Sequence, residues 1–452
     1  MVCKARLSSL LRKPSPSKAR LLAYELITQV NREGAFANIR LPELLRKSKL
    51  LPVDRNLATE ISYGTLRMQH RHDFIAKKYI DRDFESLDTQ IQDLLRMGIH
   101  QLTQMRIPDH AAVRETVEVA RYVAGDSKAS YINAVLRKVA VDSKIEEEIK
   151  DLPIAQRLSI EYSHPIWIIN AFYDQLKDWT EVERLLQADN KATKPDIVRW
   201  PGKSSVEEFV DLGAQPIAGV LNGYQIEVIP SEFTPIIERR AGVQDRGSQI
   251  VVENFLTTWE PNLGWLDMCA GPGGKAAYLF HSLSEREPSV DFLANEPIAH
   301  RAELVKRVVN NQQVVSLDGR VPQSFERKFD RILVDAPCSG LGALRRRPEA
   351  RWRRTLKDLK ELVVIQRELL ISARELLNPG GIIAYVTCSP HLSESKAQVM
   401  NFLADYPDMV LLDINSLPGA HIAGRLPDGT VQLWSHRDNS DSMFMALLQR
   451  AR

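Results

Sequence analysis

Apolar residues recur at helical spacing from Ala19 to about Val141. ARLLAYELITQVN places Ala19, Leu22, Ala23 and Leu26 on one face, the i, i+3, i+4, i+7 signature of an amphipathic helix. PVDRNLATEISYGTLRMQHRHDFIAKKYI predicts a further helix with Asp54 as its N-cap. IQDLLRMGIHQLTQM, AVRETVEVARYVA and ASYINAVLRKVAVD repeat the pattern, and strand-like alternation is nearly absent. An all-α, bundle-like domain is expected over residues 19–145. Its cations, among them Arg67, Arg71, Arg114, Arg137 and Lys138, read as a solvated face.

The pattern changes over residues 146–244. Helical IWIINAFYDQLKD and EVERLLQADN lead into IVRWPG, a helical SVEEFVDLG and a strand-like YQIEVI. A small α/β linking subdomain is expected there. From residue 245 to 452, after the amphipathic IVVENFLTTW, the apolar runs WLDMCA, VDFLANE, VVSLDG, FDRILVDA, GGIIAYVTCS and MVLLDI alternate with helical stretches. That alternation predicts a parallel, doubly wound, Rossmann-like sheet. VQLWSH and SMFMALLQR add two strands expected to form a hairpin-like edge. Ligands of such sheets bind outside the carboxyl ends of the strands, so the informative residues sit where each strand stops.

Composition changes this picture little. The chain has 452 residues, 44% hydrophobic and 26% charged, as ordinary globular proteins do. A net charge of only +2 means that nucleic-acid binding must rest on local patches. No apolar run approaches the length of a membrane span. The four cysteines, Cys3, Cys269, Cys338 and Cys388, have no CxxC spacing and are too few for a disulfide scaffold. A reducing, cytoplasmic setting, no metal and a monomer are expected. The first residues, MVCKARLSSLLRKPSPSKAR, are basic and lack acids. Pro14 and Pro16 interrupt any amphipathic helix, so residues 1–18 read as a disordered basic arm and not as a transit peptide.

Residues 264–275 read GWLDMCAGPGGK, an apolar run closed by Asp267, a glycine loop and then the helical AAYLFHSL. Glycines here admit positive φ angles and let a ligand approach the backbone. The loop is not a P-loop, because alanine follows Lys275 where a magnesium ligand is needed. It also lacks GxGxxG order. A phosphate-free adenosine cofactor fits better, and S-adenosylmethionine is the candidate. Glu296 ends the next strand, about twenty residues on, where a carboxylate grips a ribose diol. Asp318 ends the third strand and suits an adenine amino group. A lone acid at such a place is more often a cap or turn residue, but here acids close successive strands around one loop.

Asp335 and Cys338 close FDRILVDAPC, and Cys388 closes GGIIAYVTC. Thiols beside a methyl-donor pocket suggest methylation of a pyrimidine at carbon 5. That carbon is a poor nucleophile until a thiolate adds to carbon 6, which splits one difficult step into easier ones. A second thiol or base then helps to release the product. Spacing alone does not say which cysteine attacks.

DMCAGPGGK, ANE, DGR, DRILVDAPCSGLGALRRRPEARW and GGIIAYVTCS together resemble the RNA 5-methylcytosine methyltransferases of the NOL1/NOP2/Sun type. The helical region, with SYINAVLRKV, resembles a NusB-like RNA-binding domain. That pairing is similar to the bacterial branch that methylates small-subunit (16S) ribosomal RNA. The resemblance implies Cys388 as nucleophile and Cys338 as the residue that assists product release. It implies that Cys269, Ala270, Gly271, Pro272, Gly273, Gly274 and Lys275 line the cofactor. It also implies Glu296 on the ribose, Asp318 at the adenine, and Asp335 near the methionine end and the target base. Two departures are visible. Many family members have two alanines before Pro-Gly-Gly, where this chain has Ala270-Gly271, a change that removes only a methyl group. Asn295-Glu296 stands where aspartate is commoner.

Arg345, Arg346, Arg347, Arg351, Arg353 and Arg354 crowd one loop with Trp352. Arginines bind phosphates and stack on bases, and an indole stacks too, so RNA contact is expected from Arg345, Arg346, Arg347, Arg351 and Trp352. The target cytosine must leave its stack to reach a thiol. Alternative readings are a transfer-RNA or large-subunit enzyme with the same catalytic domain, and a non-catalytic RNA-binding assembly or antitermination factor.

Overall fold

The computed structural model describes residues 14–142 and 146–452. Residues 1–13, which hold most of the expected basic arm and Cys3, lie outside the described residues. The chain divides into two compact units, the first ending at Ile166 and also taking in Arg347–Glu349, the second comprising the rest. No helix among the described residues is long and apolar enough to cross a membrane.

The first unit is helical. Its principal helices are Lys18–Glu33, Ala37–Lys47, Pro52–Arg67, Gln69–Lys77, Thr89–Thr103, Asp109–Ala124, Asp126–Val141 and Ile154–Tyr162. Gly34 stops the first helix in the left-handed conformation, at φ 72°, where a Cβ would be strained. Within Asp126–Val141 the buried residues Ile132, Val135, Leu136 and Val139 repeat the spacing that predicted the helix. Three expectations are corrected. Asp54 is not a cap: the helix begins at Pro52, whose missing N–H is harmless at the first position, and Asp54 sits in the first turn. The long helical stretch also breaks at Met68 into two helices. Arg67 is buried and not part of a solvated face.

The second unit begins at Trp167, within the helix Ile166–Leu176, and continues with the helix Trp179–Asp189. A small antiparallel sheet follows, built from β1 (Asp196–Arg199), β2 (Gln215–Pro216), β3 (Gly223–Gln225) and β4 (Ala241–Val243) in the order β2-β3-β1-β4. Its apolar centre is Ile197, Phe209, Tyr224 and Phe233.

The main sheet comprises β5 (Gly264–Asp267), β6 (Asp291–Asn295), β7 (Val314–Val315), β8 (Phe329–Asp335), β9 (Leu377–Thr387), β10 (Met409–Leu412), β11 (Val431–Gln432) and β12 (Phe444–Arg450). The order is β10-β12-β9-β8-β5-β6-β7, with β11 pairing off the path to β12. Strands β5 to β9 pair in parallel. The chain builds outward from β5, first through β6 and β7 on one side and then through β8 and β9 on the other. The switch point of the sheet is therefore the carboxyl edge between β5 and β8.

The sheet is mixed, as a parallel sheet with a hairpin-like addition would be, but the added strands do not form its edge. β12 runs antiparallel between β9 and β10, so the last strand is interior and not an edge. Residues Phe444–Leu448 are buried, as a strand flanked on both sides requires. Helices Arg246–Leu256 and Gly274–Arg286 pack on one face through Val251, Phe255, Ala277 and Leu279. The helix Leu356–Leu376 packs on the other face through Leu369, Leu370 and Ala373, and begins at a capping box between Thr355 and Asp358.

Candidate active site

The parallel register sets the two cysteine loops side by side. Asp335 of β8 lies opposite Val386 of β9, and the Ala336 N–H donates to the Val386 carbonyl at 2.9 Å. Both strands then end at one level, and the Cys338 and Cys388 sulfurs come within 3.4 Å of each other. Both residues are half-buried. Gly342 threads between them and β12. Its N–H donates to the Cys388 carbonyl at 2.9 Å, and its own carbonyl accepts from the Ser442 N–H at 2.8 Å. A Cβ on Gly342 would fall onto the Ser442 carbonyl, so only glycine passes there.

The pair is electrostatically unequal. The hydrogen bond from Cys338 holds the Cys388 thiol below its ordinary value, and the nearby Lys275 ammonium acts in the same direction. Cys338 is pushed up by the same hydrogen bond and by burial. Lys275 donates to Asp335 at 2.9 Å. It comes from the glycine loop, so a cation from the β5 end is tied to the β8 end beside the thiols.

The glycine loop is held by its neighbours. The Ala270 N–H donates to the Asn295 carbonyl at 2.9 Å. The Asn295 side chain donates to the Met268 and Leu317 carbonyls at 3.1 Å each and accepts from the Leu317 N–H at 2.8 Å. One amide thus laces together the ends of β5 and β6 and the segment after β7. Gly273 adopts φ 116°, which a side chain would strain, and the helix Gly274–Arg286 starts directly after it. Cys269 lies in this loop, its thiol raised by burial and by Asp267.

Glu296 is buried, and its carboxylate accepts from the Ile298 N–H at 2.9 Å and pairs with Arg301 at 3.3 Å. Asp318 is exposed, bound to Arg320 at 2.7 Å, and lowered by that partner. The cradle fits an adenosine-type cofactor on three counts. Its loop has no room for a Cβ at Gly271 or Gly273, a buried carboxylate lies at the end of β6, and the buried Asp267 Oδ2 lacks a hydrogen-bond partner among the described residues.

Asp267 is a buried carboxyl raised to about 8 by burial first and by Asp335 second. An unfolded aspartate ionises near 4. The stability from this group is therefore complete below about pH 4, and is lost as pH rises toward 8, at up to about 1.4 kcal/mol per pH unit. Asp267→Asn keeps the acceptor for the Cys269 N–H and carries no such loss. Thermal melts without ligand should show the variant gaining on the native chain from pH 5 to 8, with a constant gap above. A gap that does not change with pH would disprove this.

The arginine loop is not one open cationic face, contrary to the sequence expectation. Arg345 is buried, paired with Asp245 at 2.6 Å and Asp441 at 3.3 Å. Arg346 is half-buried and pairs with Asp441. Arg351 is fully buried and donates to the Asn190 side chain at 2.8 Å and the Asp189 carbonyl at 3.1 Å. Trp352 is half-buried, whereas Arg347 and Arg354 are exposed. The local run of charge is offset by acids distant in sequence, which no local reading detects.

The profile of the 16S rRNA methyltransferase RsmB/F family matches residues 255–449, and that of the NusB family matches residues 17–141. Rv1407 of Mycobacterium tuberculosis, described as a methyltransferase, is 37% identical over 96% of this chain and 96% of its own length. The ribosomal RNA small subunit methyltransferase B of Vibrio vulnificus is 30% identical over 86% of this chain and 91% of its own. The chain belongs to the RsmB/F methyltransferase family. A solved structure, that of PH0851, shares the fold of this family member over 97% of the chain, with a TM-score of 0.80 at 22% identity.

One residue of this RsmB/F site is absent from the sequence reading. Glu394, fully buried, accepts from the Ser339 N–H at 2.8 Å, the Gln366 amide at 3.0 Å and the Ser339 hydroxyl. The Ser339 hydroxyl lies 3.1 Å from that of Ser389, and the same Gln366 amide donates to the Pro337 carbonyl at 3.0 Å. Glu394 thus clamps the loop carrying Cys338 against the loop carrying Cys388. Its one sequence signal is an acid just past Thr-Cys-Ser before an apolar helical stretch, which reads as a helix-start acid.

Proposed function

We propose that this chain methylates carbon 5 of a cytosine in small-subunit (16S) ribosomal RNA, through a covalent bond between Cys388 and carbon 6 of the base. The observation that carries this reading is the pair of thiols 3.4 Å apart, one favoured as thiolate, beside the cofactor cradle. Membership of the RsmB/F family and relatives named ribosomal RNA small subunit methyltransferase B support the substrate.

Residues Cys269 to Lys275 line the cofactor, Glu296 holds its ribose, and Asp318 faces its adenine. S-adenosylmethionine supplies the methyl group when bound. The Cys388 thiolate adds to carbon 6 of a flipped cytosine, which gives carbon 5 the electron density to attack. Asp335, steadied by Lys275, orients the base. Once carbon 5 carries the methyl group, its proton passes to a base, a water molecule that enters the site. The electrons of that C–H bond rebuild the 5,6 double bond and expel the Cys388 sulfur. Cys338, near enough to share a proton with that sulfur, assists the release. The exposed Arg347 and Arg354, with the half-buried Arg346 and Trp352, contact the RNA. Arg345 and Arg351 instead hold the loop in shape.

The test is transfer of labelled methyl from S-adenosylmethionine to transcripts of small-subunit, large-subunit and transfer RNA, followed by digestion to nucleosides. Label is expected in 5-methylcytidine from the small-subunit transcript. Label in another nucleoside, or only in another RNA, would reject the corresponding part of the proposal.

A further inference from the structure

Gly271 is surrounded by the group that it serves. A Cβ built on it meets the Glu296 Oε2 far inside 3.0 Å, the Glu296 Cδ at 2.7 Å and the Arg301 Nε at 3.0 Å. A flexible carboxylate usually swings away from such a contact at little cost. This one is not free to do so. One oxygen accepts from the Ile298 N–H at 2.9 Å and the other pairs with Arg301 at 3.3 Å. Arg301 in turn donates to the Gly271 carbonyl at 2.5 Å, so loop, carboxylate and guanidinium form one closed ring of contacts. Glu296 is buried, so moving its carboxylate out of the collision means breaking these contacts inside the packed site.

We propose that Gly271 and Glu296 are a matched pair. The missing Cβ makes room for the longer carboxylate, Arg301 fixes its direction, and together they set where the ribose hydroxyls are held. Arg301 is a positioning residue in this unit. The inference rests on the cofactor reading above.

It predicts a non-additive double-mutant cycle. Gly271→Ala forces the carboxylate off the ribose site, and Glu296→Asp shortens it by one methylene and reopens the space. Calorimetric titration with S-adenosylmethionine should show Gly271→Ala weakening binding at least tenfold. In the Glu296→Asp background the same alanine should cost less than threefold. Melts of the ligand-free proteins accompany the titrations. A Gly271→Ala chain that fails to fold, rescued by Glu296→Asp, would equally support the pair.

Equal losses from the alanine in both backgrounds would overturn it, as would a Gly271→Ala chain that binds normally, or a double variant that folds no better than the single one. If the native chain does not bind S-adenosylmethionine, the cofactor reading fails and this inference with it. Normal native binding without rescue rejects the pairing alone.

Discussion

Cys388→Ala is expected to abolish methyl transfer, by a factor of about 10⁴ or more, the scale on which enzymes lose activity when a covalent nucleophile is removed. Cys338→Ala is expected to act differently. In the proposed mechanism it leaves Cys388 able to add to the base and removes the group that assists its departure. A protein–RNA complex that survives denaturing electrophoresis should therefore accumulate with Cys338→Ala, and with neither the native chain nor the double variant. The asymmetry follows from the site: the Cys338–Cys388 hydrogen bond and Lys275 both favour charge on Cys388, while Cys338 is disfavoured as a thiolate. A survivable complex with Cys388→Ala, and none with Cys338→Ala, would exchange the two roles. Transfer undiminished in both variants would remove covalent catalysis altogether.

The strand ends were legible in the sequence because each parallel strand is a short apolar run closed by an acid or a turn. Parallel pairing then carries those ends to one edge. Asp267, Glu296, Asp318, Asp335, Cys338 and Cys388 could thus be assigned to a common edge without knowledge of the strand order. The order itself was less legible. VQLWSH and SMFMALLQR were read as a hairpin because neighbours in sequence usually pair, and β11 does pair with β12 at Val431–Met445 and Gln432–Phe444. Most of β12 instead pairs with β9 and β10, a choice made by long-range burial of Phe444 to Leu448. Arg345 and Arg351 misled for a related reason. A run of charge looks solvated until Asp245, Asp441, Asp189 and Asn190 arrive from distant segments to satisfy it. Gly271 was read as the harmless loss of a methyl group, whereas the fold puts the Glu296 carboxylate where that methyl would be.

Glu394→Ala is expected to lower methyl transfer about 100-fold and to destabilise the second unit by about 3 kcal/mol. The stability loss follows from leaving the buried Ser339 N–H and the Gln366 amide short of an acceptor, each such group costing about 1–3 kcal/mol. The activity loss follows from position. Ser339 adjoins Cys338, and a displacement of about 1 Å at a reacting group costs on the order of 100-fold. Glu394→Gln should recover most of both. Its amide oxygen still accepts from the Ser339 N–H and Gln366, and its NH₂ donates to the Ser339 hydroxyl, which then donates to Ser389 across the 3.1 Å already between them. Alkylation of Cys388 over a pH series separates positioning from stability alone. If Glu394 holds Cys338 against Cys388, the rise in Cys388 reactivity should move to higher pH in Glu394→Ala and stay in place in Glu394→Gln. A folded alanine variant with native alkylation behaviour and native rate would show that the two loops keep their register without the buried carboxylate.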